Sequence, residues 1–151
     1  MNFDSVISKF FRAVDSFSEP ETAFAHCDIP CGIYETDSIS HAAETVYKMD
    51  EKLLALKVPA NDSERLAFVH DVARMTHTKE EFAHKCKQEL LILWTDYFKP
   101  EHLQKFPDLH EKFWKATKQC STVKRAVNLQ EAQKLKDMVH DIAHMFADSK
   151  K

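Results

Sequence analysis

Residues 128–147 read NLQEAQKLKDMVHDIAHMFA, and this stretch decides the fold. Leu129, Ala132, Leu135, Val139, Ile142 and Phe146 recur every three or four positions, with Lys134, Asp137 and Asp141 between them. That period puts the apolar side chains on one face of a helix. Three similar patterns lie upstream. One runs from about residue 40 to 57, with Ala43, Val46, Tyr47, Leu53 and Leu54 inward, and stops before Pro59. The next begins at Asn61 or Asp62, a good N-cap, and reaches Phe98, with Pro100 beyond. Thr78 and Glu81 form a capping-box pattern inside it, which marks a place for a kink or break. A third follows Pro107 and carries Leu109, Phe113, Trp114 and Ala116. Four amphipathic helices with mostly short links predict an all-α four-helix bundle over about residues 40–147.

The composition agrees. A chain of 151 residues is long enough for one domain with a real core. Hydrophobic residues make up 44% and charged residues 30%, a soluble globular balance. The longest apolar run, Leu90 to Trp94, is far too short to cross a bilayer. A net charge of -3 weighs against nucleic acid as a partner. Gly32 is the only glycine, where average usage of roughly 7% would give about ten. Phosphate-cradling loops and dinucleotide fingerprints are thereby excluded. The four cysteines, Cys27, Cys31, Cys86 and Cys120, are too few and too scattered for a disulfide scaffold.

The segment His26-Cys27-Asp28-Ile29-Pro30-Cys31-Gly32-Ile33-Tyr34 stands outside the helical patterns. Residues 1–25 before it read as a detachable leader. Phe3, Val6, Ile7, Phe10, Phe11, Val14 and Phe17 give one apolar helical face, broken up by Asp4, Lys9, Arg12 and Asp15. A secretory signal needs an uninterrupted apolar stretch of about 7–15 residues, which is missing. Cytoplasm is therefore the expected compartment, with organelle targeting left open. Ala23-Phe24-Ala25 closes the leader with a small-x-small pattern that a peptidase can read. A docked amphipathic helix is the other reading of the same residues.

A chain beginning at His26 presents a free amine, an imidazole, the Cys27 amide nitrogen and two thiolates together. The amine and that amide nitrogen close a five-membered ring on a metal, and the amide nitrogen and the Cys27 sulfur close a second. Cys31 returns to supply the last in-plane donor. Pro30 can turn the chain, and Gly32 admits backbone conformations that other residues resist. Two nitrogens and two sulfurs in a plane suit Ni(II) or Cu(II). A C-x3-C pair alone is a weak signal that also fits a disulfide, a zinc half-site or chance.

His26 to Tyr34 resembles the nickel hook H-C-x-x-P-C-G-x-Y of nickel superoxide dismutases. Leu93-Trp94-Thr95-Asp96-Tyr97-Phe98-Lys99-Pro100, followed by His102 and by Phe106-Pro107-Asp108-Leu109-His110, resembles the family's other distinctive stretch. The resemblance covers residues 26 to about 147. It implies a leader (1–25) removed by a processing peptidase and an enzymatic domain over 26–151 that assembles as a homohexamer. It also implies disproportionation of superoxide to oxygen and hydrogen peroxide at nickel cycling between Ni(II) and Ni(III). By position it makes His26, Cys27 and Cys31 the nickel ligands, with Tyr34 and Tyr97 as hydroxyls beside the open metal face. Asp28 would help shape the hook. In some members a glutamate and an arginine brace the axial imidazole; here Ala42 and Phe82 stand at those positions, with Glu44 a nearby substitute.

Other constellations point elsewhere. His70, His77 and His84 fall at intervals of seven along one helix stripe. Glu81 and His84 form E-x-x-H, while Asp137/His140 and Asp141/His144 form D-x-x-H. With Glu44 and Glu111 they outline a rival di-iron or zinc bundle, although a solvated polar face is the plainer reading. A non-catalytic nickel or copper carrier is the second rival. Cys86 and Cys120 read as structural thiols, and Trp94 and Trp114 as core or subunit contacts. Lys99 either draws superoxide electrostatically or is simply solvated.

If the thiolates are ligands, Cys27→Ser or Cys31→Ser should abolish nickel binding and superoxide turnover while leaving helix content intact. Metal analysis and circular dichroism on the same sample check this. Full turnover in either variant would remove thiolate ligation from the account.

Overall fold

The computed structural model describes residues 32–151. The expected leader 1–25 and the expected ligands His26, Cys27 and Cys31 lie outside the described residues. Among the described residues there are four α-helices and no strand. None of these helices is long and apolar enough to cross a membrane.

Helix α1 (Asp37–Ala55) begins where the Glu35 carboxylate accepts from the backbone N–H groups of Asp37 and Ser38, the latter at 3.1 Å. These are donors that the first helical turn leaves without intrahelical partners. Helix α2 (Asp62–Ile92) follows Asn61. A π-helical turn (Leu93–Tyr97) and a 3-10 turn (Pro100–Gln104) then lead into α3 (Leu109–Val123). Helix α4 (Leu129–Ser149) is capped by Asn128, whose side-chain oxygen accepts from the N–H groups of Gln130 and Glu131 at 3.0 and 3.2 Å.

Pairings between helices run in opposite senses around the bundle. Glu44 meets Lys136 at 2.6 Å and Asp50 meets Asn128 at 3.2 Å, so α1 climbs as α4 descends. Lys87 meets Ser121 at 3.3 Å and Trp94 meets His110 at 2.9 Å, so α2 and α3 are likewise antiparallel. Each helix packs on two neighbours, α1 on α2 and α4, and α3 on α2 and α4. The result is the predicted bundle. Ala42, Ala43, Ala83, Ala116 and Ala132 are all buried, and their small side chains let the helix axes approach closely. The periodic stripe of the last helix is buried from Ala132 through Phe146.

Three expectations need correction. Helix α2 runs unbroken through Thr78 and Glu81. Lys79 is buried beside Thr78, and Ala83 and Cys86 pack into the core on the following turns, so tertiary contacts hold the helical ladder through the capping pattern. The departure from α-helix comes instead at Leu93–Tyr97. Leu54 is 59% exposed because it lies in the last turn of α1, where α2 continues past the end of its partner. Trp114 is 54% exposed. Phe113 and Ala116 take the inward stripe of α3, and Trp114 lies about 100° around the helix from Phe113.

Deep between α1 and α2 lies an ion pair. Lys79 Nζ sits 3.0 Å from Asp50 Oδ1, with both side chains at 2% exposure or less. The ammonium also donates to the Ala126 carbonyl at 2.8 Å. The other carboxylate oxygen accepts the Asn128 N–H at 3.2 Å. Two charges and the turn between α3 and α4 are thus satisfied together. Removing one charge strands the other, at a typical cost of about 3–5 kcal/mol. Lys79→Met should therefore lower stability by that amount in urea unfolding. Adding Asp50→Leu should recover part of the loss, because no bare carboxylate remains, but not all of it, since Ala126 and Asn128 still lack partners.

Candidate metal centre

The start of α1, the end of α2, the start of α3 and the end of α4 meet at one end of the bundle. The chain enters that end through Gly32, Ile33 and Tyr34. Gly32 has φ +68° and open space where a side chain would project. Backbone conformation alone, not crowding, is what favours glycine there.

Tyr34 and Tyr97, far apart in sequence, come together: their ring centroids are 5.5 Å apart at an interplanar angle of 57°. The Tyr34 hydroxyl oxygen is shielded from solvent. Tyr97 is the last residue of the π turn, which closes with the Phe98 N–H donating to the Leu93 carbonyl at 3.4 Å. That wider turn shifts the register of the helix end, a device frequent at functional sites. The Tyr97 ring lies edge-on to Phe146 at 4.7 Å and stacks on His102 at 5.7 Å. His102 is itself fixed, since its Nδ1 accepts the Lys99 N–H at 2.9 Å. Trp94, at the start of the turn, stacks on Phe113 at 5.8 Å and donates from its indole N–H to His110 Nδ1 at 2.9 Å. The distinctive Leu93–His110 stretch is therefore a wall of mutually packed rings behind Tyr97.

Ser149, which the sequence reading missed, ends this network. Its hydroxyl donates to the Phe146 carbonyl at 2.7 Å. The same oxygen lies 2.8 Å from the Tyr97 hydroxyl. A hydroxyl has one proton to give, so Tyr97 is the donor in the second contact. No local signal marks a serine in the last turn of a helix as a partner for a tyrosine 52 positions earlier. Lys105 ties the 3-10 segment to the same helix end by donating to the Asp148 carbonyl at 2.7 Å. The Asp148 carboxyl is held below its usual range, chiefly by its hydrogen bond from Lys151 and then by that lysine's charge.

The remaining sequence candidates separate. His70, His77 and His84 all point to solvent. Among the described residues, no three His, Cys, Asp or Glu side chains are grouped to hold a metal, so Glu81, His84, Glu44 and Glu111 do not assemble a di-iron site. Ala42 is fully buried, and Phe82 lies edge-on to His41 at 5.8 Å. Glu44, the substitute brace, is engaged by Lys136 at 2.6 Å. Cys86 and Cys120 are free and buried. The Cys86 thiol is pushed far up, first by its hydrogen bond with Cys120 and then by burial, so it is a protonated core group and not a metal donor.

Comparison with known proteins decides the assignment. Residues 21–150 match the family of nickel-containing superoxide dismutases. The chain belongs to that family. It is 36% identical over 127 residues to the nickel superoxide dismutase of Streptomyces seoulensis, covering 84% of this chain and 89% of that one. It is 34% identical over 135 residues to its counterpart in Streptomyces coelicolor (strain ATCC BAA-471 / A3(2) / M145), covering 89% and 95%. A native nickel superoxide dismutase structure superposes with a TM-score of 0.72 at 33% identity, covering 83% of this chain and all of the other. The all-helical fold, the nickel cofactor and the dismutase class follow from these matches, and the di-iron and carrier readings lose their footing.

In this nickel-containing superoxide dismutase, Tyr97→Phe and Ser149→Ala should each cost about 1 kcal/mol of stability. Because both delete the same hydrogen bond, the double variant should cost less than their sum by at least about 0.5 kcal/mol. Urea unfolding of the four proteins gives the answer, and strict additivity would mean that the bond is not made.

Proposed function

We propose that the mature protein begins at His26 and disproportionates superoxide to oxygen and hydrogen peroxide at nickel held by His26, Cys27 and Cys31. The observation that carries this reading is the meeting of Tyr34 with Tyr97. Tyr34 lies three residues beyond Cys31, which keeps the two α-carbons within about 11 Å of one another. Thiol donors are absent from the accessible part of the bundle, because Cys86 and Cys120 are buried. That leaves Cys27 and Cys31, beside an imidazole and a terminal amine, and this mixed nitrogen–sulfur set fits nickel. Bound there, nickel supplies the Ni(II)/Ni(III) couple that superoxide oxidation and reduction require.

The protein's own residues then have distinct tasks. Tyr34 and Tyr97 line the mouth of the site, narrow access to it and order water there. With its proton committed to Ser149, Tyr97 offers lone pairs to that mouth, so it accepts a hydrogen bond there more readily than it donates one. Lys99, Lys105 and Lys150 lie on the segments around Tyr97, with Lys150 Nζ 3.9 Å from the Phe146 ring centre. They form a cationic fringe that raises the encounter rate of a small anion. A homohexamer agrees with the exposed apolar side chains Leu54, Val58, Leu66 and Val69, at 59–81% exposure. Large exposed apolar side chains are candidates for burial in subunit contacts.

Processing is the step most open to test. In the intact chain the His26 nitrogen belongs to a peptide bond, and its lone pair is delocalised into the carbonyl. Cleavage makes it an α-amine with an ordinary pKa near about 8, readily deprotonated when a metal competes. Superoxide decay should be followed by stopped flow for chains beginning at Met1, Ala25 and His26, each normalised to bound nickel. The His26 form should be active with Ni(II) and inactive with Zn(II), which has no redox couple. The other two should be inactive or nearly so. Equal turnover from all three would show the free amine to be irrelevant.

A further inference from the structure

Helix α4 carries a pair of neighbouring histidines. His140 and His144, one turn apart, are both exposed, and their Nε2 atoms are 2.9 Å apart. The rings are perpendicular, with centroids 4.3 Å apart. Two nitrogens about 2.05 Å from a shared metal lie about 2.9 Å apart at a 90° angle and about 3.3 Å apart at a tetrahedral one. The observed separation matches the first case. Square or tetragonal nitrogen coordination is the preference of Cu(II) and Ni(II), not of Zn(II).

The surroundings favour a cation. Asp137 and Asp141 lie within one turn of His140, while Asp148, one turn after His144, is already paired with Lys151 at 2.7 Å. Lys136, the lysine one turn before His140, has its charge matched by Glu44 on α1 at 2.6 Å. No third His, Cys, Asp or Glu joins the pair among the described residues. Water would therefore fill the remaining positions, which makes such a site open and quick to exchange.

We propose that His140 and His144 form an exchangeable chelate site for Ni(II) or Cu(II) on the outer face of α4. The proposal does not depend on the ligands assigned to the dismutase centre. A simpler arrangement has the same geometry, namely one imidazole N–H donating to the other ring, and it predicts no metal chelation.

The test uses the nickel-loaded protein beginning at His26, titrated with Cu(II), with binding followed by calorimetry and by electron paramagnetic resonance. The wild type is compared with His140→Gln and His144→Gln, and with His77→Gln as an exposed-histidine control. The wild type should bind one more equivalent than either pair variant, or bind that equivalent at least tenfold more tightly. Its spectrum should show coupling to two nitrogens that each pair variant loses, and His77→Gln should behave as wild type. Identical titrations and spectra for the wild type and both pair variants would overturn the proposal, as would an equal loss in His77→Gln.

Discussion

The buried contact between Asp50 and Lys79 constrains the bundle more than any apolar residue does. Hydrophobic side chains tolerate sliding, because one leucine stripe packs almost as well one turn along. A buried charge does not. Taking an ion out of water costs several kcal/mol even after relaxation, and here the cost is offset by partners from three separate elements. Lys79 uses Asp50 and the Ala126 carbonyl, while Asp50 also receives the Asn128 N–H. The 3.0 Å approach of Lys79 to Asp50 Oδ1 lacks hydrogen-bond angles, so it acts as charge pairing, and directionality comes from the two backbone contacts. Asn128 in turn caps α4. One arrangement thereby sets where α1, α2 and the start of α4 stand against each other.

The consequence is felt at the opposite end. Tyr97 lies 18 residues beyond Lys79, about 27 Å of helix. Across that length a slip of one residue would turn Tyr97 through about 100° and away from both Tyr34 and Ser149. The ion pair fixes the register at one end, and the π turn makes the final adjustment at the other. Leu93–Tyr97 is wound more widely than the helix before it, and this brings the tyrosine ring against Phe146 and His102. The fixed ring wall of Trp94, Phe98 and Phe113 then holds the adjustment in place.

These two features explain what was legible in the sequence. Periodicity revealed α4 and the bundle because leucine and valine at spacings of three and four have one cheap arrangement. It failed at Leu54 and Trp114, where a helix end and a shared hydrophobic boundary left large side chains outside. It also could not reveal Lys79, since lysine is ordinarily a surface residue and only a partner on another helix allows it to be buried. Thr78 and Glu81 carried a genuine capping pattern, but local preference gave way to the packing of Lys79, Ala83 and Cys86. A hook chemistry could be proposed from sequence because its candidate donors are neighbours in the chain, so residue types and spacing suffice to suggest it. Ser149 was not, because its role depends on a contact across 52 positions.

That contrast also divides the work of the site. The proposed donors fall within six consecutive residues, from His26 to Cys31, and on that proposal they need little from the bundle to reach a common metal. The hydroxyls are different. Tyr34 reaches the site with the entering chain, Tyr97 with a wound helix end, and Ser149 with the last turn of another helix. Their mutual placement exists only when α1, α2 and α4 are in register. Metal affinity should thus be set mainly by local covalent spacing, and the hydrogen bonding that surrounds the reacting anion by tertiary structure. A chain organised this way can vary widely over its helices while keeping the hook, provided that the register-setting contacts and the Tyr97–Ser149 bond, or substitutes for them, are retained.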